Sequence, residues 1–291
     1  MATRNIAQKF LLQFILVFTA GLSNGLAQLP HPALTSIDHV PVVVYDLHVT
    51  SKLLTDVLHF KIKAGREHEG IKNCFIKFED GTYLEFITPT DRTTATGRYY
   101  TNALKHRQGG TALAVAVRSA DTMTDYLKLK SIAFEREDNP IWRTVSPKGI
   151  DLFFIDYRNK SWKDTEINTT HPNGALSLKS TYLLSSNINT DSNRYSLYKF
   201  QPGGNGSILT IPYQTLTAGN SYLHLIEGSK AKTLLRKFTT TRLTGICGFE
   251  IKVRSLSDIN TLLPKTADTF IEHGKTIYFV QELNVFFLFS E

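Results

Sequence analysis

The feature that most constrains this chain is a pattern met four times: a β-rich run ending in Val or Leu, a short polar residue, then a helix-like stretch. It reads VPVVVYDLHVTSKLL, ALAVAVRSADTMTDYL, STYLLSSNINTDSNRY and FEIKVRSLSDINTLL. The helix-start positions are Asp46, Ser119, Ser186 and Ser255, spaced by 73, 67 and 69 residues. Such side chains accept hydrogen bonds from the free N–H groups of a first helical turn, which is why a strand-to-helix switch favours them. Further strand-like runs follow each helix, clearest in KNCFIKFED with GTYLEFITP and in ILTIPYQTL with SYLHLIEGS. The repeated unit is therefore β-α-β-β-β, and the fold class is α+β. One unit leaves a sheet face uncovered, so units must pair. Modules 1 and 2 are expected to form one domain over 33–160, and modules 3 and 4 a second, divergent one over 176–291. The polar, Pro- and Gly-containing segment 161–175 reads as their linker. Within it HPNGA reads as a structural turn, and QPGGNGS (201–207) reads as a flexible loop.

Composition narrows the class. With 42% hydrophobic and 20% charged residues, the 291-residue chain has the apolar material for a packed core, which excludes disorder and a coiled coil. Two cysteines exclude a disulfide framework or a Cys-rich zinc site; Cys74 and Cys247 lie in strand-like runs and read as buried thiols. Arg4 and Lys9 precede an apolar run from Phe10 to Ala20, and small Gly25 and Ala27 stand where a signal peptidase needs them. Residues 1–27 are thus expected to be a signal peptide cleaved before Gln28, since a run of that length spans only ~16 Å as a helix and falls short of a bilayer. The mature chain is expected to be exported, periplasmic or secreted, with no membrane segment. Its net charge falls from +7 to +5 with Arg4 and Lys9 gone, and the remaining basic residues form no block, so no nucleic-acid partner is expected. Neither phosphate loop, nor a G-x-S-x-G elbow, nor H-E-x-x-H occurs.

The segments IDHVPVVVYDL (37–47), HEGIKN (68–73), DGTYLEFI (80–87), LFFIDY (152–157) and HPNGA (171–175) occur in this order. In them the chain resembles the vicinal oxygen chelate superfamily, and within it the glyoxalase-like domain proteins. The resemblance implies paired βαβββ modules whose curved sheets form cups for a metal ion and a small substrate, with homodimerisation where cups are shared.

Strand alternation tests where the polar groups point. Val40, Val42 and Val44 share one face of the first strand, as Leu84 and Phe86 do on the last strand of the unit, and these suit the helix side. His39, with Ile37 and Pro41, and Glu85, with Tyr83, are then expected to face the cup, where a carboxylate among aromatic neighbours suits a general base. In the superfamily a His on the first strand and a Glu on the last supply metal ligands, and His39 and Glu85 match those places. His68 is the candidate third ligand, and an imidazole and carboxylate set suits zinc, nickel, iron or manganese. Asn73 and Lys72 are candidates to hold a substrate carbonyl or carboxylate. The other modules depart from the pattern: Ala112 and Phe153 occupy the ligand places of module 2, Lys179 and His224 those of module 3, and Gly248 and Phe287 those of module 4. Tyr83 and His224 are expected to line pockets. The leading functional expectation is a small-molecule-binding protein acting as a metal-dependent lyase, isomerase or dioxygenase through His39 and Glu85. The alternative is a metal-free, non-catalytic binding or sequestering protein, and a third is an interaction scaffold whose cups are filled by side chains.

Overall fold

A computed structural model describes residues 31–160, 164–239 and 244–291; the expected signal peptide lies outside the described residues. Module 1 runs β1 (Leu34–Val43), α1 (Leu47–Asp56), β2 (Lys63–His68), β3 (Ile71–Lys77) and β4 (Tyr83–Pro89), followed by α2 (Ala95–Leu104) and the two-residue β5 (Gly109–Gly110). Module 2 is β6 (Leu113–Val117), α3 (Ala120–Leu129), β7 (Phe134–Asp138), β8 (Trp142–Pro147) and β9 (Leu152–Tyr157). After the short α4 (Glu166–Thr169), module 3 is β10 (Ala175–Ser185), α5 (Ile188–Leu197), β11 (Gln201–Ile208), β12 (Ile211–Ala218) and β13 (Ser221–Glu227). A further short helix, α6 (Lys232–Leu235), precedes module 4: β14 (Gly245–Val253), α7 (Leu256–Leu262), β15 (Thr269–Glu272), β16 (Lys275–Val280) and β17 (Val285–Ser290).

The first sheet has the order β2-β3-β4-β1-β6-β9-β8-β7, with β5 pairing β1; the second has the order β11-β12-β13-β10-β14-β17-β16-β15. In every module the last strand returns parallel to the first, whereas the two modules of a sheet join antiparallel at β1–β6 and β10–β14. This is the α+β arrangement of paired βαβββ modules that the fourfold pattern predicts.

Each module helix starts where its cap can satisfy a free backbone N–H. Asp46 accepts from His48 and Val49, Ser119 from Thr122, and Ser255 from Asp258. In module 3 the cap is Asn187, accepting from Thr190, rather than Ser186; Ser186 lies one residue ahead of the extended cap. Corrected so, the caps are 73, 68 and 68 residues apart. These helices, of seven to ten residues, are too short to stand alone. They persist because Leu54, Met123, Leu127 and Ile259 are fully buried against the sheets.

Segment 201–207 is a correction as well: it is not a loop but most of β11, an edge strand paired with β12. Pro202 is tolerated because an edge strand need not donate from that N–H, a register shift falls between Pro202 and Gly204, and Gly204 takes φ +98°. At Gly206 a Cβ would lie 2.5 Å from the Tyr213 ring, so the missing side chain is what lets that ring cover the strand. HPNGA is the turn its residues predict: Gly174 N–H donates to His171 O, the Asn173 Oδ1 accepts from Ala175 N–H, and Gly174 has φ +69°.

Pro32–Glu291 form one compact unit. The helix-bearing faces of both sheets feed one hydrophobic cluster, in which Phe60 meets Phe287 at 5.6 Å and Phe289 at 6.2 Å between ring centres. Cys74 and Cys247 are free, buried thiols. Among the described residues no helix is long and apolar enough to cross a membrane.

Candidate functional site

The site begins with an irregularity in β1. Opposite β6, Ile37 pairs with Val115 and His39 with Ala114, so Asp38 is an extra, bulged residue. The bulge sends Ile37 to the helix side, where it is fully buried with Val40 and Val42, against the expected alternation. It also brings Asp38 alongside His39 in the cup. Simple period-2 reading misses Asp38 because a bulge breaks the period.

From His39 onward β1 is regular against β4, with His39 opposite Tyr83 and Pro41 opposite Glu85. Paired residues of parallel strands share a face, so His39, Tyr83 and Glu85 lie together. The imidazole stacks on Tyr83, 4.2 Å between ring centres and 10° from parallel. Its Nδ1 is 2.6 Å from Asp38 Oδ1 and its Nε2 is 3.8 Å from Glu85 Oε2. Glu85 Oε1 accepts from Asn73 Nδ2 at 2.7 Å, and Asn73 Oδ1 accepts from the Arg66 N–H. At the other end Tyr157 donates its hydroxyl to Asp38 at 3.1 Å and lies 3.3 Å from the Tyr83 hydroxyl. A polar line thus runs Asn73–Glu85–His39–Asp38–Tyr157 across four strands. Burial raises the Tyr83 and Tyr157 hydroxyls well above the usual phenol range, and nearby Asp38 and Glu85 add to this, so both stay protonated.

Lys72 is exposed and projects from β3 on the side opposite Asn73, since adjacent strand residues alternate. The cation on the cup face is Lys77, its Nζ 3.1 Å from the Tyr83 ring centre and 4.8 Å from that of Phe75. Burial pushes its pKa down to about 8, against the pull of Asp38 and Glu85. A cavity of about 360 Å³ opens beside this line, with Asp38, Lys77, Asp80, Tyr83, Arg118 and Tyr157 in its wall. His39 and Glu85 are not in that wall; they stand behind Tyr83 and Asp38.

The donor set falls short of a metal centre. His39 Nε2 and Glu85 Oε2 face one another, but among the described residues His68 reaches only the Asn73 amide, at 3.5 Å. In module 2, Ala114 pairs Phe153 as Pro41 pairs Glu85, which puts Ala112 and Phe153 in the ligand places. Phe153 closes its half of the cup with an edge against His39, 5.5 Å between ring centres. Two donors are one fewer than a catalytic zinc-type site uses, and among the described residues no three His, Cys, Asp or Glu side chains are arranged to hold an ion.

The second sheet repeats the geometry with other chemistry. Its bulged residue is Lys179, between Leu178 and Ser180, so Ser180, not Lys179, stands where His39 does. Tyr182 pairs His224 as Pro41 pairs Glu85, which puts His224 in the carboxylate place. Glu250 of β14 lies 4.0 Å from His224 Nε2 and accepts from Ser180 and Lys275, with Lys179 at 3.6 Å. Burial opposes its ionisation, yet the hydrogen bonds from Ser180 and Lys275 and both lysine charges prevail, holding it at about 2. Burial pushes His224 down to about 4, so it is neutral at physiological pH. The remainder of this cup is filled by Tyr182, Phe279, Phe286 and Leu288. Gly248 stands in a ligand place as expected, and a Cβ there would meet the Phe286 ring at 2.2 Å. Its partner place belongs to Leu288, opposite Glu250, because Phe287 packs on the helix side. His224 and His39 therefore belong to separate cups.

Two curved sheets of paired βαβββ modules, one cup open and polar and one filled, define a vicinal oxygen chelate protein. The chain belongs to the glyoxalase-like domain family, whose profile matches residues 37–197. Among solved structures, a hypothetical protein from Staphylococcus aureus superposes over 89% of this chain and 99% of its own, with TM-score 0.59 and 12% identity. A xylose isomerase-like TIM barrel/4-hydroxyphenylpyruvate dioxygenase fusion protein superposes over 90% of this chain at TM-score 0.60 and 12% identity, and the match spans 49% of the fusion. At that identity both likenesses are of fold. No curated protein matches the sequence.

Proposed function

We propose that the mature chain is an exported protein that binds a small oxygenated molecule in the cavity of its first cup, without a metal, and exchanges a proton with it through Tyr157, Asp38 and His39. The observation that carries this reading is Asp38: one oxygen contacts both the His39 imidazole and the Tyr157 hydroxyl, at the wall of a 360 Å³ cavity. A ligand hydroxyl beside Tyr157 gains a hydrogen-bond partner whose own proton is already directed at a carboxylate. Lys77 favours a ligand with anionic or carbonyl oxygen. The stacked Tyr83 and His39 rings limit the depth of entry. Export is supported by the leader-like residues 1–27.

Thermal unfolding of the Gln28–Glu291 chain with small carbonyl, phenolic and carboxylate compounds, in the presence of a chelator, tests the reading. A ligand at a hundred times its Kd adds ~2.7 kcal/mol of stability. That gain should persist in chelator and shrink in Asp38→Asn. A metal-dependent lyase, isomerase or dioxygenase is the second reading, favoured by the facing His39 Nε2 and Glu85 Oε2. It requires stoichiometric metal in the purified protein, lost in His39→Ala; stabilisation only with added metal would displace the metal-free reading.

A further inference from the structure

We propose that Lys77 is a nucleophile and captures the carbonyl carbon of an aldehyde or ketone in the first cavity as an imine. This rests on the reading that the cavity is the ligand site, and it narrows the ligand class. Lys77 ends the cup face of β3, on which Ile71, Asn73 and Phe75 alternate before it. Its Nζ is held by the faces of Tyr83 and Phe75, and among the described residues no carboxylate lies within ion-pair distance of it. The other lysine in the cavity wall, Lys160, is paired to Asp156, and nearby Lys63 is paired to Asp164. Burial outweighs the pull of the Asp38 and Glu85 charges and carries the amine's pKa down to about 8, towards the neutral, nucleophilic form. Acid and base groups share the wall: the Tyr157–Asp38 pair, and Asp80, whose acid form burial favours over its Thr82 hydrogen bonds.

The step balances without an oxidant or reductant. The Nζ lone pair bonds to the carbonyl carbon while the C=O π pair moves to oxygen, which takes a proton relayed from nitrogen. The resulting carbinolamine expels that oxygen, protonated again from the wall, as water. The nitrogen lone pair closes the C=N bond, and the last N–H proton returns to the wall.

The test incubates the Gln28–Glu291 chain with glyoxylate or benzaldehyde, reduces with sodium borohydride, and locates the adduct by intact mass and peptide mapping. The expected result is one adduct per chain on the Lys77 peptide, with labelling above the average of other lysines by more than about tenfold, because burial favours its neutral amine. Lys77→Arg, which keeps the cation over Tyr83, should lose the adduct, and Lys77→Met provides a second folded control. Labelling spread evenly over the lysines, or retained in either variant, overturns the proposal. Thermal shifts with the same probes before reduction separate the two readings. Stabilisation of wild type and Lys77→Arg without trapping sinks the imine and leaves the binding site. Neither stabilisation nor trapping overturns both.

Discussion

At the scale of single residues, the two cups show how one backbone register supports different chemistry. Each first strand carries a bulge at the same place, and each bulged residue is charged: Asp38 in one sheet, Lys179 in the other. Asp38 orients an imidazole, whereas Lys179 helps neutralise buried Glu250. His224, with a folded pKa near 4 against an ordinary 6.5, resists protonation in the folded state. Its pKa is lowered on folding, so the stability it contributes is present above pH 6.5 and is lost as pH falls towards 4. Replacing it by Gln should flatten that part of the acid dependence by up to roughly 3 kcal/mol in urea unfolding measured at stepped pH. Glu250 acts lower: its contribution is present above about pH 4.5 and disappears as pH falls towards 2.

At the scale of elements, the short helices and the sheet edges depend on particular local contacts. Ser119→Ala removes the side-chain acceptor for Thr122 N–H at the start of α3 and should cost about 1 kcal/mol in denaturant midpoint analysis. Gly248→Ala places a methyl group into the buried Phe286 ring, which has no room to turn away, and should cost ~1–3 kcal/mol. The helix caps are legible in sequence because a cap is a local interaction between a side chain and an N–H two or three residues on. Even so, Ser186 and Asn187 are both competent cap residues, and it is Asn187 that accepts from Thr190 N–H. β11 was not legible: Gly and Pro mark turns by their own conformational preferences, but here β12 and the Tyr213 ring supply the pairing and cover that make a strand of them.

At the scale of the whole molecule, the sheets are tied by aromatic packing. Phe60, 1% exposed and in the connection before β2, packs against Phe78, just past the end of β3, and against Phe287 and Phe289 of the second sheet. Phe60→Ala should cost ~3–5 kcal/mol, and because the cluster serves both sheets, the lower stability should appear as one shifted unfolding transition by calorimetry. Expression with residues 1–27 in an exporting host should yield a protein whose first residue by N-terminal mass analysis is Gln28.

The sequence by itself determined the number and kind of the repeated modules and their helix starts to within one residue, and its strand alternation put His39, Tyr83 and Glu85 on one face. These follow from periodicity and capping, which act over a few residues, and from the parallel return of each module's last strand to its first. Only the tertiary structure decided that Asp38 joins them, that Lys77 rather than Lys72 supplies the cup's cation, and that the second cup is closed by Phe286 and Leu288. The reason is physical: a bulge, the face a strand residue takes, and the filling of a cavity are set by neighbouring strands distant in the chain, and no local pattern encodes which neighbour arrives.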